Sequence, residues 1–294
     1  MFAGFRACLR CRPLDFAGAP PDWVKTLVAE IDAAPEARIT DSDLRIRGLD
    51  PARARRFFLK QYGMTFQAYC RAKRMGQAID QLRRGAPVDE VALENGYDSH
   101  SGFRDAFVKT FGRPPGKGRD VESMYVAWIE SPLGPLITAA TTEGICLLEF
   151  TERRMLEAQF ATLRRRFSCP IVPGRNGHIE VLERELNEYF AGARNHFTVP
   201  TVAPGTPFQT RVWDALKTIP FGKTWSYEDL ARAIGSPGAS RAVGTANGMN
   251  RVAILIPCHR VVNKDGKLGG YGGGVWRKQR LLELERQALP FSLD

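Results

Sequence analysis

The hydrophobic period of this chain changes at Gly116-Lys117-Gly118, and that change limits the folds open to it more than any other feature. Upstream, apolar residues recur at helical spacing: first Trp23, Leu27, Val28 and Ile31, later Phe103, Phe107 and Phe111, four apart. Downstream come short alternating or apolar runs, Tyr125 to Ile129, Leu136 to Ala140 and Ile145 to Phe150. Ser131-Pro132-Leu133-Gly134 and Glu143-Gly144 separate them, which predicts a small antiparallel sheet. Beyond it a helix is predicted from Glu152 to Arg166, and from Thr206 the helical pattern returns. Helices and strands present side chains with different periods, so these stretches bury their apolar faces in different ways. With 294 residues there is chain enough for more than one core. The expectation is an α+β multidomain protein divided at 1–19, 20–118, 119–205 and 206–294: a linker-like start, an all-α domain, a small α/β domain and a mostly helical domain.

The net charge of +10 is unevenly placed. Residues 45–119 carry 16 Lys/Arg against 7 Asp/Glu and residues 206–294 carry 13 against 7, whereas residues 120–205 carry 8 against 11. Two basic blocks flanking an acidic one have the layout of two footprints on a polyanion; solvated charged faces are the alternative. No apolar stretch approaches the ~18 residues that a membrane span needs, so no membrane partner is expected. Met1 to Arg12 hold three arginines but no apolar core of signal-peptide length, and a cytoplasmic location is expected. The six cysteines, at 8, 11, 70, 146, 169 and 258, lack the density of a disulfide framework and predict buried thiols, a metal ligand or a nucleophile. Cys146, inside the third apolar run, and Cys169, beside Pro170, are expected to be packed thiols without chemistry.

Within the first basic block, Asp50-Pro51 predicts a helix start with proline at the first helical position. Val88, Val91 and Ala92 mark a short amphipathic helix, Gly96-Tyr97-Asp98 breaks it, and Ser99 opens a second helix that carries the phenylalanine stripe. In this helix-turn-helix pattern Ser101, Arg104 and Asp105 lie off the stripe, available to a DNA groove. From Val88-Asp89-Glu90-Val91-Ala92 through Gly96-Tyr97 to Phe111-Gly112-Arg113-Pro114-Pro115 the chain resembles the DNA-binding domain of AraC-type regulators, over about residues 24 to 118. The resemblance implies two helix-turn-helix units joined by a long helix, with Ala52 to Gly63 as the first recognition helix and Thr65 to Arg84 as the connector.

The sharpest chemical feature is Ile254-Leu255-Ile256-Pro257-Cys258-His259-Arg260-Val261-Val262. A cysteine in an apolar run is ordinarily core, but Cys258 stands between proline and His259-Arg260, groups able to lower a thiol pKa or take its proton. Neighbours on a strand point to opposite faces, so coupling Cys258 to His259 requires an irregular backbone or a bridging water. A zinc deaminase would need Pro-Cys-x-x-Cys, and Val261 occupies its last position. A papain-like hydrolase would need a remote histidine in a supporting motif, which His100, His178 and His196 lack. The loop Gly269-Gly270-Tyr271-Gly272-Gly273-Gly274 has neither the Lys-Ser/Thr of a phosphate cradle nor dinucleotide spacing, and is expected to let a flat ligand near the backbone. Upstream, Ser226-Tyr227-Glu228-Asp229 has capping-box form. Ser240 is expected to cap a helix from Arg241 to Met249 built of small residues, which permits close approach to a partner.

Pro-Cys-His-Arg-Val-Val, with that helix before it and the glycine loop after it, resembles the O6-methylguanine-DNA methyltransferase family over residues 125 to 290. The resemblance implies a ribonuclease H-like α/β domain, a winged-helix-like transferase domain, and irreversible methyl transfer from O6 of a flipped-out guanine to Cys258, with O4-methylthymine as a further substrate. Carried over by position, His259 acts through water as the base, Glu285 orients it, Tyr227 assists the leaving guanine, and Asn250 ties the recognition helix to the active-site strand. Arg241 fills the gap left by the flipped base, while Ala242, Gly244 and Ala246 keep the helix close to the minor groove. A soft thiolate suits displacement at a methyl carbon, and the thioether it forms cannot be hydrolysed, so one turnover is the limit. No cofactor is needed.

An AraC-type domain ahead of this transferase resembles the arrangement of the Ada-type family. The resemblance implies regulation of the alkylation response, with damaged duplex DNA, promoter DNA and RNA polymerase as partners of a monomeric protein. Ada-type proteins begin with a zinc domain of four cysteines, and Phe5-Arg6-Ala7-Cys8-Leu9-Arg10-Cys11-Arg12-Pro13 resembles its closing segment only. Cys8 and Cys11 are half a ligand set, so no metal is expected on this chain and methyl phosphotriester DNA should not switch it. The rival reading is a DNA-binding regulator whose C-terminal half only senses alkylated DNA. Cys258 discriminates the two, since sensing alone does not require a nucleophile there.

Overall fold

Side-chain caps at Thr40, Asp50, Thr65 and Ser99 start four helices of the N-terminal third, those at Asp50 and Ser99 where the sequence places them. In a computed structural model that describes residues 20–288, α1 spans Asp22–Ala33 and buries Val24, Leu27 and Ile31. Thr40 and Asp43 form a reciprocal capping box at the start of α2 (Asp41–Ile46). Asp50 accepts from the N–H groups of Ala52 and Arg53, and Pro51 opens α3 (Pro51–Tyr62). The connector α4 (Phe66–Arg83) starts at Thr65. It leads to α5 (Val88–Glu94) and to α6 (His100–Phe111), which Ser99 caps and whose Phe103, Phe107 and Phe111 are buried.

The predicted strands follow as β1 (Met124–Ile129), β2 (Leu136–Ala140) and β3 (Ile145–Phe150), an antiparallel meander. Two elements of this sheet-containing part lie outside the sequence expectation. One is β4 (Ile171–Pro173), which adds parallel to β1 and gives the order β3-β2-β1-β4; three residues are too few to show a period. The other is α8 (Gly177–Phe190), capped by Asn176 and burying Ile179, Leu182, Leu186 and Tyr189. Between β3 and β4 runs α7 (Leu156–Phe167), starting four residues later than predicted. Both faces of the sheet are covered. Met124, Val126, Ile137, Ala139 and Leu147 join a core shared with α1, α3, α4 and α7, whereas Tyr125, Leu136, Ile145 and Leu148 join one shared with α8 and the C-terminal helices.

The helical N-terminal part is therefore docked on the sheet through its connector. A Cβ at Gly76 of α4 would lie 2.0 Å from Val172 Cγ1 of β4, so only glycine permits this approach. Beside it the Tyr125 hydroxyl donates to Asp80 Oδ1 at 2.5 Å and accepts from Arg83 Nη1 at 2.7 Å. The Arg83 guanidinium continues to the carbonyls of Arg119 and Val121.

The remaining elements are α9 (Pro207–Lys217), β5 (Trp225–Ser226), α10 (Tyr227–Ala233), α11 (Ser240–Gly248), β6 (Val261–Val262) and α12 (Val275–Gln287). Ser226 and Asp229 close the predicted capping box on α10. Ser240 does not cap α11: it is the first helical residue, Ala239 precedes it, and no side chain accepts from the end. No described helix is long and apolar enough to cross a membrane. The Phe5 to Pro13 segment, with Cys8 and Cys11, lies outside the described residues.

Candidate active site

The segment after α11 is anchored to the sheet before it reaches the cysteine. Leu148 of β3 donates its N–H to Arg251 O at 2.9 Å and accepts from Ala253 N at 2.7 Å, so Val252 pairs with the strand edge. Ile254 follows in the left-handed region at φ 71 although it is buried, a conformation that costs about 1–3 kcal/mol in a branched residue. Cys258–Arg260 then form one 3-10 turn. This irregular backbone lifts the strand constraint that would put Cys258 and His259 on opposite faces. Parallel pairing of β6 with β5, Trp225 with Val261 and Ser226 with Val262, brings Tyr227 beside the turn. The Lys278 ammonium, wholly buried, donates to Val261 O at 2.5 Å and holds the turn from below.

Asn250 Nδ2 donates to Cys258 Sγ at 3.0 Å and to Ile256 O at 2.8 Å, while its Oδ1 accepts from Val252 N at 3.0 Å. Behind the cysteine, Nε2 of His259 lies 2.8 Å from Glu285 Oε1. The same carboxylate accepts from Arg260 Nε and Nη2 (2.8 and 3.0 Å), from the Tyr189 hydroxyl (2.8 Å) and from Gly222 N (3.1 Å). These donors hold the Glu285 carboxyl down at about 2 against its burial. An ionised carboxylate only accepts, so Nε2 carries the His259 proton and Nδ1, which has no protein partner among the described residues, is left as the acceptor. Burial lowers the His259 pKa below 6.5 despite Glu285, so the imidazole is neutral.

The sequence expectation of a thiol with lowered pKa is not met. Burial pushes Cys258 up to about 11, with the Asn250 hydrogen bond opposing. Arg260, the expected electrostatic partner, turns away to Glu285 and to Ile219 O (2.6 Å). Cys146 and Cys169 are raised too, to about 12 and about 11, so what sets Cys258 apart is position. It lines a cleft of about 900 Å³ with Tyr227, Gly244, Asn247 and the loop Gly270–Gly274, and is itself only 6% exposed. The Tyr227 ring lies 3.7 Å from the Cβ position of Gly244, and its hydroxyl 2.9 Å from that of Gly269.

On α11, Arg241 and Ala242 are exposed and Gly244 is half-buried beside the cleft. Ala246 is a correction: it is 3% exposed and its carbonyl accepts from Trp213 Nε1 at 2.9 Å, so it packs α11 on α9 and has no groove-facing surface. In the N-terminal part, Ser101 and Arg104 are exposed on α6, off the buried phenylalanine stripe.

Family models match in three blocks: a helix-turn-helix domain at residues 45–120, the ribonuclease-like domain of 6-O-methylguanine DNA methyltransferase at 124–203, and the DNA-binding domain of the same enzyme at 207–287. A methylated-DNA–protein-cysteine methyltransferase of Mycobacterium bovis is 48% identical over 165 residues, 56% of this chain and 94% of that protein. The crystal structure of the Mycobacterium tuberculosis O6-methylguanine methyltransferase superposes with a TM-score of 0.50 at 44% identity, covering 58% of this chain and 97% of that one. The bifunctional transcriptional activator/DNA repair enzyme Ada of Escherichia coli is 32% identical over 293 residues, 97% of this chain and 81% of its own. This chain belongs to the Ada family.

In this Ada-family chain Cys258 and Tyr227 line one cleft, Asn250 is hydrogen-bonded to Cys258 Sγ, the buried His259–Glu285 pair follows the cysteine, and Arg241 lies on α11, whose Gly244, Asn247 and Gly248 form one wall of the cleft. Sequence reasoning missed Tyr189, Gly222, Lys278 and the pair Glu149–Arg153. Arg260 was legible beside the cysteine, although not as a partner of Glu285. Tyr189 lies 96 residues from Glu285 in sequence, and no local pattern marks it.

Proposed function

We infer that this chain reverses O6-alkylguanine damage in duplex DNA by moving the alkyl group to Cys258 Sγ, once per molecule, and joins that repair to sequence-specific DNA binding through its helix-turn-helix domain. The observation that carries the reading is a cysteine at the floor of an open cleft, held by Asn250 at 3.0 Å and backed by a neutral His259 on an ionised Glu285. The thiol proton passes through a bridging water to His259 Nδ1, and the imidazolium that forms is stabilised by Glu285. A new S–C bond replaces the C–O bond, and the leaving guanine takes a proton from Tyr227. A thiol that rests protonated fits this order of events, because the thiolate is generated only when the base is in place. O4-methylthymine offers the same exocyclic ether and fits the same displacement.

Flipping the base costs a few kcal/mol, and Arg241, exposed on α11, supports the duplex from which it leaves. Ala242 and Gly244 keep α11 slim against the minor groove. Promoter DNA is assigned to α3 and α6, where Ser101 and Arg104 face outward, and a regulator so placed acts on RNA polymerase. The protein works in the cytoplasm as a monomer without a cofactor.

Intact-mass spectrometry after incubation with O6-methylguanine duplex tests the reading. One methyl group should be gained on the Cys258 peptide and none in Cys258→Ala. Folded protein that gains no mass points instead to a regulator that only senses damage.

A further inference from the structure

Arg153 sits in the turn between β3 and α7, its backbone fixed by bonds from its N–H to Phe150 O (3.0 Å) and from Leu156 N to its carbonyl (3.2 Å). The residue is 8% exposed, and its guanidinium reaches three walls of the cleft that holds Cys258. Nε lies 2.6 Å from Oε2 of Glu149, which is 1% exposed, as an ion pair without linear N–H alignment; Gln159 Nε2 donates to the same oxygen at 3.1 Å. Nη2 donates to Gly248 O at 2.6 Å, the last residue of α11. Nη1 occupies the space in front of Gly272, where a Cβ would come within 1.3 Å of it.

Each contact has a physical reason. A helix-terminal carbonyl lacks an intrahelical donor and carries the negative end of the helix dipole, so a buried cation is well placed at Gly248. Arg supplies several fixed donors from one plane, and a lysine ammonium could not meet Glu149 and Gly248 while also filling the space in front of Gly272. The nearby Arg277 ties the other side of the loop, through Leu133 O (2.7 Å), Gly273 O (2.8 Å) and Glu152 (3.3 Å), but none of these contacts is with α11.

We propose that Arg153 is a positioning residue for alkyl transfer, fixing the spacing between α11 and the glycine loop and through it the fit of the extruded base. The proposal rests on reading the cleft as the base pocket. It predicts a defect in base capture, not in the chemical step, and a dependence on Gly272: the guanidinium and a side chain at 272 cannot share the same space.

The full chain is labelled with a fluorescent O6-benzylguanine, and half-saturation, limiting rate and melting temperature are measured together. Arg153→Met and Arg153→Lys should raise half-saturation about tenfold while the limiting rate changes less than about threefold. Gly272→Ala should act in the same direction, and the double variant Arg153→Met/Gly272→Ala should be no worse than Arg153→Met, since the obstacle is gone. Parental half-saturation in folded Arg153→Met overturns the proposal. So does a lowered melting temperature with unchanged kinetics, or strict additivity in the cycle. Failure of the parental chain to label at Cys258 sinks the alkyl-transfer reading itself, and the proposal with it.

Discussion

Glu285 Oε1 stands 2.8 Å from His259 Nε2 across 26 residues of sequence, and the same carboxylate gathers Arg260, Tyr189 and the Gly222 N–H. A neutral imidazole on a carboxylate that only accepts has a determined tautomer, so its free nitrogen points to the task of taking a proton. Glu285→Gln can donate as well as accept, which permits the wrong tautomer and leaves Arg260 without its counter-charge. Alkyl transfer should slow about a hundredfold, within the range of general-base effects, and more than DNA binding weakens. Single-turnover transfer and duplex affinity, measured on the same folded preparation, check this; equal losses would reduce Glu285 to a structural role.

The same pair sets the acid behaviour. Burial lowers the His259 pKa, so the base stays neutral below 6.5 and the acid limb of the transfer rate should lie below that value. Glu285 raises the His259 pKa, so Glu285→Gln should displace the limb further toward acid while lowering the plateau. Stability has a related window. A histidine depressed in the folded state contributes fully above 6.5 and loses that contribution as pH falls through its folded value. Glu285, held at about 2, contributes above about 4.5 and loses it toward about 2. Urea midpoints should therefore decline from pH 6.5 downward; a flat profile from pH 6.5 to 4.5 contradicts the His259 assignment, and a flat profile from pH 4.5 toward 2 contradicts that of Glu285.

Arg241 is exposed on α11, whereas the His259–Glu285 pair is fully buried. Arg241→Ala should slow repair of paired O6-methylguanine by about tenfold or more, because unstacking costs a few kcal/mol. Free O6-benzylguanine needs no flipping and should react at close to the parental rate. A comparable loss on both substrates would place Arg241 in the pocket instead of the duplex.

Gly76→Ala opposes two effects of different size. Alanine favours the α4 helix by up to about 1 kcal/mol, but its methyl would meet Val172 at 2.0 Å, and overpacking costs about 1–3 kcal/mol. Overpacking should prevail, giving a net loss of about 1–2 kcal/mol in urea unfolding, with the docking of α4 on β4 as the site of damage. A stabilised variant would show that α4 and β4 do not meet so closely in solution.

Arg104 is exposed on α6, 154 positions from Cys258. In the full chain Arg104→Ala should weaken promoter binding about tenfold, the size of one lost bidentate base contact, and leave methyl transfer unchanged. Binding titrations over a salt series separate this from a phosphate contact, which would also flatten the salt slope.

Much of the molecule was legible because its determinants are local. Asp50-Pro51, Ser99 and the Ser226–Asp229 box start helices through groups within three residues, and the three strand runs show their ends in sequence. Pro-Cys-His-Arg pointed to Cys258 and His259 for the same reason. Tertiary structure decided what depends on surroundings. Burial raised the Cys258 thiol, although its sequence neighbours argue for lowering it, because removing water outweighs charges that turn elsewhere. Packing of α11 on α9 turned Ala246 inward, a choice that a run of small residues cannot encode since each of its faces is slim enough to be either. Glu285 meets Tyr189 across 96 residues and Arg153 meets Gly248 across 95, contacts fixed only when distant segments of chain close on one core. Periodicity and caps act over one or two turns of chain; burial and convergence require the whole chain to be in place.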